Sequence, residues 1–213
     1  MNYSETLEEE SKLTIEKFIG DTFGESVLQI VLRGHLYIEN GIEKLLRCAL
    51  VKPDVIINDR FMFINKLNLA VAMDLIPQEV SVTLRYLNSK IRNKYAHNLE
   101  FEMTQKHLDD LISKFDKDTK KFYERAPYLK MINAIEDNFI EKVRSALWAL
   151  WFRIKSLEFE YRIRPFNEEI NELTRMLQFK NNPEGEAYIE SRHKEIIQRI
   201  KREISSISSL DQR

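Results

Sequence analysis

Arg92 and His97 stand five residues apart in the run Arg92-Asn93-Lys94-Tyr95-Ala96-His97-Asn98. An arginine presents a rigid fork of donors matched to phosphate oxygens. A histidine exchanges protons near neutral pH. Together these two side-chain types can cleave a phosphodiester without a metal. A ribose 2′-hydroxyl attacks the adjacent phosphate while a general base takes its proton and a general acid returns one to the departing 5′-oxygen. The arginine stabilises the charge that builds on the phosphorane-like transition state. The product of that route is a 2′,3′-cyclic phosphate end, and DNA, lacking the 2′-hydroxyl, resists it.

Helix geometry limits how the pair can act. Five residues of ideal α-helix rise about 7.5 Å and turn the two side chains about 140° apart. Arg92 and His97 therefore converge only if the helix loosens near Asn98 or if a second chain completes the site. A symmetric homodimer supplies the second solution by bringing two copies of the same helix to one cleft. Asn93 lies four residues before His97 on a shared face and is the supporting polar group. Arg85, Asn88 and Arg92 form a neighbouring polar stripe. Asn88 is a second supporting residue, and Arg85 and Lys94 are candidates for RNA binding. His35 and Glu39, four apart, share a helix face. They either orient His97 or contact substrate, or they make a local bond within a helical interface. As a metal site the pair lacks the further ligands that zinc needs, and no cofactor is expected.

The elements that must position these groups read as helices throughout. Thr6-Leu7-Glu8-Glu9 has the pattern of a capping box, and a first helix is expected to about Ile19. Val27, Ile30, Val31, Ile38, Ile42 and Leu45 recur at helical spacing and predict a second helix over about 25–50. A third is expected over about 59–75. A fourth spans about 78–97, with Val80, Leu84, Leu87, Ile91 and Tyr95 as its apolar stripe and Asn98 in a left-handed closing conformation. Thr104 is expected to cap a fifth helix running to about Arg125. A long amphipathic segment follows from Tyr128 to about Arg164, where Pro165 interrupts it. Its Trp148, Trp151 and Phe152 are expected in the core or at a dimer interface. Asn181-Asn182-Pro183-Glu184-Gly185 reads as a linker before a last helix from about Glu186. The expected fold is all-α: a helical bundle over residues 1–127 and a C-terminal helical extension over 128–213, packed on the bundle or used for dimerisation.

Composition narrows the function classes. The chain has 213 residues, a formal net charge of −1 and 31% charged residues. No global basic field advertises nucleic-acid binding, so any RNA surface must be local or assembled by oligomerisation. The single cysteine, Cys48, cannot form an internal disulfide and is expected as a small buried hydrophobe. No segment approaches the ~20 apolar residues of a membrane span. A cytoplasmic protein is expected.

The stretch from Leu87 to Asn98 resembles the motif of the HEPN superfamily of helical ribonucleases, in which an arginine precedes a histidine by a short spacer and is commonly followed by a polar residue, here Asn93. The segments Gly34–Glu39 and Phe63–Ala70 also resemble prokaryotic members, and the likeness covers roughly Glu25 to Phe115. It implies a dimerising helical bundle with Arg92 and His97 in the cleft between protomers. It further implies a toxin or antiviral-defence setting beside a controlling antitoxin or defence partner protein. The order of features also resembles the mannitol operon repressor family, which implies a non-catalytic regulatory or scaffolding dimer. The complete Arg–His motif favours the ribonuclease.

Overall fold

The computed structural model describes residues 16–23, 25–126, 139–177 and 183–210. Every regular element among them is helical, so the fold is all-α. The chain divides into two compact units, Thr14–Glu158 and a second that contains Phe159–Arg213. The division falls inside a helix, beyond the boundary expected near residue 127.

The first unit holds the candidate site. Its helices are α1 (16–22), α2 Val27–Ala49, α3 Phe63–Ala72, α4 Gln78–Tyr86, α5 Asn93–His97, α6 Gln105–Ile112, α7 Lys117–Arg125 and the first part of α8 Phe139–Leu177. Ser26 caps α2 through a box with Gln29, satisfying backbone donors that the first turn leaves open. The predicted inner stripe of α2 is fully buried at Ile30, Val31, Ile38, Ile42 and Leu45. Cys48 is exposed, because Leu45 and Leu46 take the inward positions of the last turns. The capping box expected at Thr6 lies outside the described residues.

Three of the helix boundaries differ from expectation because a cap or a packing contact decides them. The segment expected as one helix from Thr104 to Arg125 is two. Asp116 caps α7 by accepting from the Thr119 N–H, and the Lys114 carbonyl is drawn out of the helix to accept from the Thr83 hydroxyl. Thr104 does cap α6, with His107 in the usual glutamate position. Pro165 sits within α8 and does not end it. Phe159, Phe166, Ile170 and Leu173 on both sides of the proline pack with Ile189, Ile196 and Ile200 of α9 Pro183–Leu210 in the second unit, and this packing outweighs the lost backbone bond. Pro183 belongs to α9, where a proline in the first turn removes only a donor that would be unsatisfied anyway.

The core of the first unit is set by the contact of α2 with α8. Trp148 and Trp151 are buried, Trp151 stacking on Phe18 of α1 and packing against Tyr37 of α2. Gly34 and Gly41, two turns apart, let the helices approach closely. A Cβ on Gly34 would lie 2.9 Å from the Leu147 Cβ, and one on Gly41 would lie 2.9 Å from Ile154 Cγ2. Arg144 of α8 is buried and donates to the Thr22 carbonyl at 2.9 Å, tying α1 to the same seam.

The two kinds of glycine should respond oppositely to alanine. Gly20 on α1 faces open space, so Gly20→Ala should stabilise by about 0.5–1 kcal/mol through helix propensity. Gly34→Ala gains the same term but overpacks against Leu147, at a cost of about 1–3 kcal/mol. We expect it to lower the thermal midpoint by several degrees, on the scale of about 2–4 °C per kcal/mol. Equal midpoints for the two variants would contradict the close α2–α8 contact.

Candidate functional site

The helix that carries the Arg–His pair changes its winding. Leu87–Arg92 forms a π-helical turn between α4 and α5, and the Asn93 N–H bonds to the Asn88 carbonyl five residues back. Leu87 and Ile91 anchor the turn from its inner side, both fully buried. On an α-helix Asn88 and Asn93 would point about 140° apart. The wider turn brings residues five apart towards one face. Asn88, Arg92 and Asn93 consequently line the same cleft, which has a volume of about 460 Å³.

The opposite walls come from α2, α3 and the loop between them. His35, Glu39, Glu43 and Arg47 descend from α2, Phe63 and Lys66 from α3, and Ile57, Asn58, Asp59, Phe61 and Met62 come from the loop. Lys66 is 8% exposed on a helix face otherwise buried through Phe63, Leu67 and Ala70. Its Nζ lies 2.9 Å from Glu39 Oε1 and 2.9 Å from Glu43 Oε2. Burial alone would lower the Lys66 pKa, and the two carboxylate bonds outweigh it, so the group titrates above its ordinary value. Burial likewise opposes ionisation of Glu43, but the bonds from Lys66 and Arg47 hold it below the usual carboxylate range. Arg47 also binds Asp54 at 2.7 Å.

Arg92 is the exception in this charge pattern. Its Nη1 donates to Asn93 Oδ1 at 3.1 Å, and among the described residues it has no carboxylate partner. A half-buried guanidinium thus directs an uncompensated positive charge into the cleft. The Asn93 oxygen is engaged by Arg92, which leaves its amide NH₂ as a second donor set. Arginine fork plus amide is a donor arrangement suited to phosphate oxygens.

His35 holds the other side of the widened turn. It is 2% exposed, and its ring packs on Phe63 with centroids 4.3 Å apart. Nε2 lies 3.1 Å from Asn88 Oδ1. That oxygen only accepts, so the imidazole carries its proton on Nε2. Nδ1 lies 3.9 Å from Glu39 Oε2, too far for a hydrogen bond. Burial pushes the His35 pKa down to about 4 against the opposing pull of Glu39, and Arg92 lowers it further against the Asn88 bond. At neutral pH His35 is therefore an uncharged strut that orients Asn88.

The structure brings together Arg92, Asn93, Asn88, His35 and Glu39. It places the other predicted residues elsewhere. His97 is exposed at the end of α5, and Lys94 is exposed on the same short helix. Arg85 donates to Asn68 Oδ1 at 2.6 Å, outside the cleft lining. Asn98 is extended, with φ −138°, and not left-handed. Its side-chain oxygen accepts from the Glu100 N–H at 3.0 Å, so a side-chain turn ends the helix. Sequence reasoning missed Lys66, Glu43 and Arg47. The available signal was a lysine on an apolar helix face, with Glu39, Glu43 and Arg47 at four-residue steps on α2. No group of three or more His, Cys, Asp or Glu among the described residues is placed to hold a metal ion.

The His35 shift has a defined pH signature. Between pH 6.5 and 4 the unfolded chain binds a proton that native His35 refuses, so stability falls as the pH falls through this window. The shift corresponds to about 3 kcal/mol, present in full above pH 6.5 and lost towards pH 4. Urea unfolding of wild type and His35→Gln across this range should show the wild type losing that amount relative to the variant, because carboxylate titrations common to both cancel. Parallel profiles would contradict a buried neutral His35.

The chain matches no protein-family model, no curated protein and no solved structure.

Proposed function

We propose that this protein is a metal-independent endoribonuclease of HEPN type. It acts as a homodimer and leaves 2′,3′-cyclic phosphate ends, in a toxin or antiviral-defence setting with a controlling partner protein. The observation that carries the reading is Arg92: a half-buried cation at the wall of a polar cleft, without a carboxylate partner among the described residues, while Lys66 and Arg47 are both neutralised. In the proposed reaction Arg92 and the Asn93 amide bind the phosphate, Asn88 and His35 hold the widened turn, and His97 transfers the proton.

His97 is exposed and outside the cleft lining, so the reaction requires the histidine of a second copy or a closer approach on binding RNA. Leu28, Leu32 and Leu36 support the dimer. They form a four-residue-spaced stripe on α2, 40%, 37% and 62% exposed, on the helix that also carries His35 and Glu39. Three leucines in a row on solvent are costly unless another surface covers them. The position of His97 also favours a second reading, a regulatory or scaffolding dimer whose cleft binds nucleotide without cutting it.

Incubation of the protein with mixed RNAs in EDTA separates the two. Cleavage with cyclic phosphate ends, reduced at least about 100-fold in both Arg92→Ala and His97→Ala, is the expected result. Cleavage unchanged in both variants would overturn the Arg92–His97 assignment, and no cleavage beside retained RNA binding favours the second reading. Sedimentation should give twice the chain mass for the wild type and the chain mass for Leu32→Glu. A monomeric wild type would remove the composite site.

A further inference from the structure

Resting on the assignment of Arg92 as the phosphate-binding group, we propose that the same cleft holds the base of the bound nucleotide and selects guanine through Asp59. The α2–α3 loop supplies the site. Ile57 is buried, with its N–H bonded to the Pro53 carbonyl at 2.8 Å, and Asn58 Oδ1 accepts from the Arg60 N–H at 3.0 Å. These bonds build a turn that presents Asp59 to the cleft. Asp59 is exposed and has no ion-pair or hydrogen-bond partner among the described residues.

Shape and chemistry both fit a nucleotide. The volume of about 460 Å³ falls within the range of small-molecule sites. Half-buried Phe61 and Met62, which is 61% exposed, supply an apolar wall for stacking a base. The charges are divided: an uncompensated cation, Arg92, for the phosphate and an uncompensated carboxylate, Asp59, for the base. An ionised carboxylate only accepts hydrogen bonds. Guanine is the one common base whose pairing edge offers two adjacent donors, N1–H and the N2 amino group. Adenine and cytosine each place an acceptor beside their amino donor, and uracil flanks its single N–H with carbonyls, so each sets a lone pair against the carboxylate.

The test uses the full chain and four fluorescent 2′-O-methyl tetranucleotides, UUGU, UUAU, UUCU and UUUU, which lack the attacking hydroxyl and report binding without cleavage. Fluorescence anisotropy should show UUGU binding at least about tenfold more tightly than the others, the scale of one bidentate base contact. Asp59→Asn should bring the four within about threefold of each other, because an amide offers one donor and one acceptor. Arg92→Ala should weaken all four alike. Equal affinities in the wild type, or a guanine preference that survives Asp59→Asn, would overturn the base site. If Arg92→Ala still weakens the four oligonucleotides, the phosphate assignment survives that outcome. Failure of the wild type to bind any of the four would overturn both.

Discussion

The candidate site depends on one departure from regular helix, the widened turn at Leu87–Arg92. An α-helix through this segment would keep Asn88 and Arg92 on one stripe and turn Asn93 away. The five-residue hydrogen bond from Asn93 to Asn88 changes that register and gathers the three side chains at one cleft. Burial anchors this segment in either winding, with Leu87 and Ile91 fully buried on its inner side. The contact specific to the wide turn is the neutral His35 ring, which donates to the side chain of Asn88, the residue whose carbonyl closes the turn. Position and burial thus act together: His35 can serve as a strut because its surroundings keep it uncharged.

Charge compensation then decides which group in the cleft is available to a ligand. Three elements bring cations here, and carboxylates bind two of them. Lys66 is enclosed by Glu39 and Glu43, and Arg47 bridges Glu43 to Asp54. A buried lysine without those partners would be strongly destabilising, so the two glutamates are structural first. Arg92 is positioned by a neutral amide, which orients the guanidinium without cancelling its charge. Retention of a charge beside a neutral, low-pKa histidine is the electrostatic basis for reading the cleft as an anion site.

Much of the scaffold was legible in the residues. Apolar periodicity located α2 within two residues at its start and one at its end, and the fully buried stripe of α4 and the widened turn follows the predicted one through Ile91. The all-α class followed from the same patterns. What could not be read was the register inside the helix. A π turn and an α turn place the same apolar residues inward, so Leu87 and Ile91 fit both. Asn98 and Pro165 show the complementary error. Local preference suggested a left-handed stop and a helix break. A side-chain turn to Glu100 replaced the first, and packing around Phe166 and Leu173 overrode the second. Lys66 was overlooked because its meaning lies in contacts with a different helix.

In the proposed reaction a phosphate sits on Arg92 and Asn93 inside this cleft. A crystal structure with an uncleavable 2′-O-methyl dinucleotide tests it most directly. Phosphate oxygens are expected within hydrogen-bonding distance of the Arg92 guanidinium and the Asn93 amide, with His97 of a second copy facing the 2′-position. A dinucleotide bound away from Arg92, or Arg92 turned onto a carboxylate in the dimer, would contradict it.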